Sequence, residues 1–165
     1  IYEGTTGIQS LDLLGRKVLI STKGRVIQEF TAEIMKFCAE HATEKRMLPF
    51  IFALSKACAQ WNYLTLRLMV GAVKNRDVVA CSSVDYLMYS GYVMMAYFWA
   101  RMAAVSCEKL DKGDGVETPE FYQAKLATAE FYFERLLPRT KGHADAILAG
   151  PKSLMQLPIE HFAFE

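Results

Sequence analysis

Apolar residues recur along the middle of this chain at alternating steps of three and four. From about Arg46 to Val73 the series is Ile51, Leu54, Cys58, Trp61, Thr65, Leu68 and Ala72, with Lys56, Gln60, Tyr63, Arg67 and Lys74 lining the other side. That spacing marks one face of an α-helix. At the standard rise it would be about 40 Å long, which suits a helix bundle. Pro49 falls near its first turn, where a missing N–H costs nothing, and Lys74-Asn75-Arg76-Asp77 closes it. Upstream, Ile27, Phe30, Ile34, Phe37, Cys38 and His41 make one face of a helix of about four turns, opposite Glu29, Glu33, Lys36 and Glu40.

The next segment is the most apolar. Ser82-Ser83-Val84-Asp85 offers an N-cap, and from Tyr86 no charge appears until Arg101. This run falls short of the ~20 residues that span a bilayer. Ser90, Gly91 and the tyrosines also suit a protein interior, so a central bundle helix is expected, with peripheral membrane contact as the minor alternative. Asp111-Lys112-Gly113-Asp114-Gly115 reads as a turn, because a calcium loop needs further oxygen ligands and a terminal Glu at set spacing. Thr118 as N-cap and Pro119 at the first helical position then start a fifth helix. Phe121, Tyr122, Lys125, Ala129, Tyr132, Phe133 and Leu136 carry it to Pro138. A shorter helix around Ala144–Ala149 and a turn over Ser153–Leu157 form the tail. The expected fold is all-α, an up-and-down bundle of about four long helices between Arg25 and Leu137, with an additional N-terminal helix and a short C-terminal one.

The N-terminal helix is where the chemistry gathers. Thr6-Gly7-Ile8-Gln9 fits a capping box. Ile8, Leu11, Leu14 and Val18 then predict one apolar face, Asp12 and Arg16 pair four residues apart, and Ser21-Thr22-Lys23-Gly24 ends the helix near Ile20. Glu3 stands in the loop ahead of it, and three roles are open to this carboxylate. It is a solvated acid favoured by the helix dipole, or a general base beside Gly4 with Tyr2 as an apolar wall. The third role is to flank an anion site built from Thr5, Thr6 and free N–H groups. Spacing alone does not choose among them.

Ile1-Tyr2-Glu3-Gly4-Thr5 followed by Ile8-Gln9 resembles the catalytic loop of the flavin-dependent acyl-CoA dehydrogenases. In most of that family the Glu of this motif removes the α-proton of an acyl thioester while the β-hydrogen leaves as hydride to FAD. The resemblance implies that Glu3 is the catalytic base, that Gly4 allows close packing on flavin and substrate, and that Thr5 contacts FAD. Gly7 departs from the pattern, which has Gln, Glu or Asn there, so a side-chain contact to the flavin does not carry over. The specific match covers about the first twenty residues. The remainder resembles, more loosely, the extra helical segment of large bacterial members. On this view residues 1–22 end the catalytic helical domain and residues 23–165 form a bundle extension. The chain starts inside the motif and without Met, which reads as a fragment or a proteolytic product.

Length and charge fit this picture. At 165 residues the chain suits one domain that buries roughly two-thirds of its unfolded surface. A net charge of +1, from 19 basic and 18 acidic residues, argues against a nucleic-acid binder. Cys38, Cys58, Cys81 and Cys107 lie in apolar helical stretches without a C-x-x-C, so free thiols in a reducing compartment are expected. Together with the lack of a signal peptide this points to the cytoplasm. Glu40, His41 and Glu44 suit a solvated helix end rather than a metal site. Phosphate-binding loops, dinucleotide fingerprints, zinc motifs and Gly-x-Ser-x-Gly are lacking.

The resemblance further implies an acyl-CoA substrate, electron-transfer flavoprotein as electron acceptor, the rest of a parent chain as partner, and a homo-oligomer. Fatty acyl-CoA is the default substrate and 3-methylmercaptopropionyl-CoA the rival. The 165 residues alone are expected to hold no FAD and to be catalytically silent. The alternative is a structural or oligomerisation module in which Glu3 is incidental.

Overall fold

The computed structural model describes residues 5–162. Among these the regular elements are all helical, as the periodicity predicts. Helix α1 (Thr6–Leu11) continues as a π-helix over Asp12–Ser21. Then follow α2 (Arg25–Glu40), α3 (Leu48–Lys74) and α4 (Asp77–Lys112). Helix α5 (Pro119–Phe131) runs through a π turn (Tyr132–Leu136) and a 3-10 turn (Leu137–Arg139) into α6 (Thr140–Ala149). A short α7 (Lys152–Met155) and a 3-10 turn (Ile159–Phe162) complete the described chain.

The contacts between helices run in opposite registers, which makes sequential neighbours antiparallel. Gly24 at the start of α2 lies beside Met69, and Thr31 further along meets Asn62, between α2 and α3. Thr65 meets Tyr86, and Ala57 meets Tyr89, between α3 and α4. Tyr92 and Trp99 meet Tyr132 at the end of α5. Helix α4 is the hub, packing against α1, α3, α5 and α6 and reaching α2 through Tyr97, which lies edge-on to Phe30 and Phe37. Its buried positions alternate tyrosines with small residues, including Ser83, Ser90, Ala96, Ala100, Ala103 and Ala104. Small side chains let neighbouring backbones approach, and three buried tyrosine hydroxyls of this region have partners. Tyr86 bonds Thr65 at 2.7 Å, Tyr89 donates to the Ala57 carbonyl at 2.9 Å, and Tyr132 donates to the Tyr92 carbonyl at 2.9 Å. Left unpaired, each hydroxyl would cost about 1–3 kcal/mol.

The predicted faces of α2 and α3 are the buried ones. Ile27, Ile34, Phe37 and Cys38 are buried on α2, and Ile51, Leu54, Cys58, Trp61, Thr65 and Leu68 on α3. Three expectations are corrected. Helix α4 starts at Asp77, not at Ser82, because the Asn75 side chain accepts the Asp77 N–H at 2.9 Å and so caps the helix after a two-residue connection. Ser82 and Ser83 are thereby interior, buried residues. At its other end α4 continues through Asp111 and Lys112, and only then does Gly113 turn left-handed at φ 65°. The Arg46 guanidinium holds the Asp111 carboxylate and donates to the Cys107 carbonyl, which ties the α2–α3 loop to this extended end. The tail helix α6 begins at Thr140, earlier than Ala144. Thr118 caps α5 as expected, accepting the Phe121 N–H at 3.4 Å.

No described helix is long and apolar enough to cross a membrane. All four cysteines are free, with Cys38, Cys58 and Cys107 buried and Cys81 half-buried. Burial raises the Cys38 and Cys107 thiols and pushes Cys58 up to about 12. The thiolate is the nucleophile, so alkylation of the native protein with iodoacetamide at neutral pH should label Cys81 first and Cys58 only after unfolding. Peptide mapping with equal early labelling of Cys58 would contradict this packing. Leu54 is fully buried in the second turn of α3. Leu54→Ala should lower unfolding free energy by about 2–5 kcal/mol in urea titrations.

Candidate active-site segment

The sequence places its chemistry on Glu3, Gly4 and Thr5. Glu3 and Gly4 lie outside the described residues. Thr5 is described, and so is the helix that follows it.

Thr5 is the N-cap of α1, one residue earlier than the capping box at Thr6 requires. That shift leaves Gln9 too far along the helix to reach back to the N-cap N–H. Its side-chain amide instead donates to the Thr5 hydroxyl at 3.4 Å, while the Gln9 backbone N–H bonds the Thr5 carbonyl at 2.8 Å. The hydroxyl caps no backbone N–H. It accepts from Gln9 and keeps its own O–H to donate outward, and the residue is exposed.

The segment is held by its other face. Ser10 is completely buried; its single O–H is shared between the Gly7 carbonyl at 2.9 Å and the Ser83 hydroxyl of α4 at 3.1 Å. Ser83 in turn donates to the Ala80 carbonyl at 3.1 Å, so the chain of hydroxyls is closed. Leu14 and Val18 follow Ser10 at four-residue steps and are fully buried. The predicted face differs. Ile8 is 71% exposed and Leu11 46% exposed, because the backbone widens to π winding from Asp12 and the inward stripe becomes Ser10-Leu14-Val18. Nothing in the run of residues 12–21 announces that winding; the Asp12–Arg16 pair forms as expected. The Arg16 guanidinium, aided by Lys17, holds the Asp12 carboxyl below its ordinary range.

The segment ends on a tight turn. The Gly24 N–H bonds the Val18 carbonyl at 2.8 Å across Lys23 and Gly24, which have φ of 50° and 82°. A Cβ on Gly24 would lie 3.0 Å from Sδ of the flexible Met69 side chain, so it is chiefly the left-handed backbone that favours glycine here.

Ser10 and Ser83 escape sequence reasoning for a physical reason. A serine among apolar residues reads as surface, and Ser83 stands where an N-cap is expected. The signal was their shared need for a partner once buried.

The donors present fit part of a flavin site rather than the whole of one: one outward hydroxyl and the first N–H groups of a helix can meet an edge of the group. Isoalloxazine and pyrophosphate need many more partners than these.

Residues 30–158 match the family described as acetyl-CoA dehydrogenase C-terminal like, and the chain belongs to that family. It is 29% identical over 163 residues to a broad-specificity linear acyl-CoA dehydrogenase of Mycobacterium tuberculosis, covering 95% of this chain and 26% of that protein. It is 27% identical over 161 residues to a butyryl-CoA dehydrogenase of Syntrophomonas wolfei, covering 97% and 26%. It is 33% identical over 141 residues to the 3-methylmercaptopropionyl-CoA dehydrogenase of Ruegeria pomeroyi, covering 83% and 23%. The chain thus spans about a quarter of the length of the curated relatives it matches.

Removing the Ser10 hydroxyl tests how the segment is held. Ser10→Ala deletes the bond to Ser83 but leaves Ser83 paired with Ala80, so the cost should be about 1 kcal/mol. The loss should be local, read as roughly fivefold faster amide exchange over residues 8–14 with α3 unaffected. Unchanged exchange there would mean that apolar packing alone seats the segment.

Proposed function

We propose that this chain is the part of a flavin-dependent acyl-CoA dehydrogenase that carries the catalytic base, with Glu3 abstracting the α-proton of an acyl-CoA thioester. The observation that carries the reading is the Tyr2-Glu3-Gly4-Thr5 run, leading into a helix whose inner face is locked to the bundle by Ser10 and Ser83. Membership of the family and the dehydrogenase relatives support it.

A carboxylate removes so weak an acid only where its orientation is fixed and water is excluded. A helix anchored through the buried Ser10 just after the motif would help to supply the first condition in the intact enzyme. When bound, FAD accepts the hydride. Thr5 would hold one edge of it through the O–H that Gln9 leaves free, and Gly4 would let the backbone pack close to it. Residues 1–22 end the catalytic domain in this reading and residues 23–165 extend it. The substrate is a fatty acyl-CoA, with 3-methylmercaptopropionyl-CoA as the rival suggested by one relative's name. Electron-transfer flavoprotein would take the electrons, in the cytoplasm, from a homo-oligomeric enzyme.

One observation favours a structural role for residues 23–165 beside this. The outer face of α3 exposes Phe52, Tyr63, Leu66, Val70 and Val73 along its length, opposite its buried face. Exposed apolar side chains spaced along one helix face, with Lys56 and Arg67 among them, suit a contact surface. The two roles are separable: an intact enzyme truncated after Gly24 that keeps full activity would leave the extension purely accessory.

Glu3→Gln in the intact enzyme tests the base. The amide keeps the shape and loses the proton acceptor. Acyl-CoA should still bind and perturb the flavin spectrum, while single-turnover flavin reduction should slow by ~10²–10⁴-fold. A reduction rate equal to wild type would move the base elsewhere.

A further inference from the structure

The second half of α4 and the start of α5 part around a groove of about 440 Å³. That volume falls in the range of small-molecule sites. Phe98, Met102 and Val105 of α4 form one wall, and Phe121 and Tyr122 of α5 the other. The α4 residues follow at steps of four and three, so the wall extends about 10 Å along the helix. This is a slot for an extended apolar chain.

The charged groups lining the groove are both cations, Arg101 and Lys125. Each is held over an aromatic face: the Arg101 guanidinium is 5.5 Å from the Tyr97 ring centroid, and Lys125 Nζ is 5.1 Å from that of Phe121. Among the described residues neither cation is within 4 Å of a carboxylate. The Ser106 hydroxyl is turned back onto the Met102 carbonyl at 2.8 Å. Beyond Arg101, Glu33, Glu40 and Glu108 line the neighbouring depression, so a negative head group is repelled on that side and drawn toward Lys125.

From this charge and shape we infer that the α4–α5 groove binds a linear alkyl carboxylate, a medium-chain fatty-acid anion, with its chain along Phe98-Met102-Val105 and its carboxylate at Lys125 and Arg101. The groove is some nineteen residues along α4 from Ser83, about 30 Å, and is independent of the N-terminal segment and of its proposed chemistry.

Octanoate and 1-octanol share a chain and differ in the charged head. In methyl NMR of the 165-residue protein, octanoate should shift the Met102 methyl saturably. It should bind at least about tenfold tighter than 1-octanol, a difference of about 1.4 kcal/mol. Arg101→Gln with Lys125→Gln should erase that preference and leave the thermal melt unchanged, since both side chains are on the surface. Val105→Trp fills the slot from an exposed position and should abolish binding of both probes. No saturable shift at millimolar octanoate, equal affinity for the two probes, or binding that survives Val105→Trp would each overturn the assignment; the first would leave the groove as plain surface or a protein contact.

Discussion

The close packing of α4 against its neighbours is the constraint on which the rest of the molecule depends. A helix surrounded on so many sides cannot present large apolar side chains everywhere. Its buried positions are therefore small residues that let backbones approach, interrupted by tyrosines that fill the wider gaps. Tyrosine brings a hydroxyl into a dry interior, and Tyr86, Tyr89 and Tyr132 each have a partner there: Thr65, the Ala57 carbonyl, and for Tyr132 a carbonyl of α4 itself. The first two fix register, because a one-turn slip of α3 along α4 would break them together. Burial accordingly pushes the Tyr86 and Tyr132 hydroxyls up to about 12, so both remain proton donors at any physiological pH.

The same logic sets the N-terminal segment in place. Its anchor on α4 is a polar contact, Ser10 on Ser83, flanked by Leu14 and Val18. A hydroxyl pair is directional, whereas apolar contact tolerates rotation of a helix about its axis. Anchoring a short helix in this way fixes its rotation about its own axis and so the face on which Thr5 stands. At the other end the Gly24 turn lies beside Met69 on α3. The two ends of the described segment are thus tied to different helices of the bundle.

How the surface divides is equally informative. Helix α3 carries a second apolar stripe opposite its core face, and the α4–α5 groove is apolar with a cationic rim. These regions differ in their chemistry. The stripe offers apolar area interleaved with Lys56, Arg67 and Lys74, as a protein contact does. The groove offers depth and two cations, as a ligand site does. Membership of the acetyl-CoA dehydrogenase C-terminal-like family agrees with a bundle that has both a mounting role and surfaces left to engage something else.

What the sequence determined by itself was whatever depends on periodicity over many residues or on local steric rules. The long apolar series on α2 and α3, the cap at Thr118-Pro119, the Asp12–Arg16 pair and the free thiols all fall in that class. The residues of the candidate motif were legible only through their likeness to a family, since one carboxylate before a helix permits several roles. Tertiary structure alone decided the start of α4, the inward stripe of the first helix, and the burial of Ser10 and Ser83. In each case a long-range partner outweighed a weak local preference. Asn75 takes the Asp77 N–H at the start of α4 across a connection too short to read, and a serine counts as interior only when a partner for its hydroxyl is at hand. Local patterns carry energies of a few tenths of a kcal/mol per residue, and a buried polar contact far along the chain is worth about 1 kcal/mol or more. That difference is why the helices could be read from the chain and their docking could not.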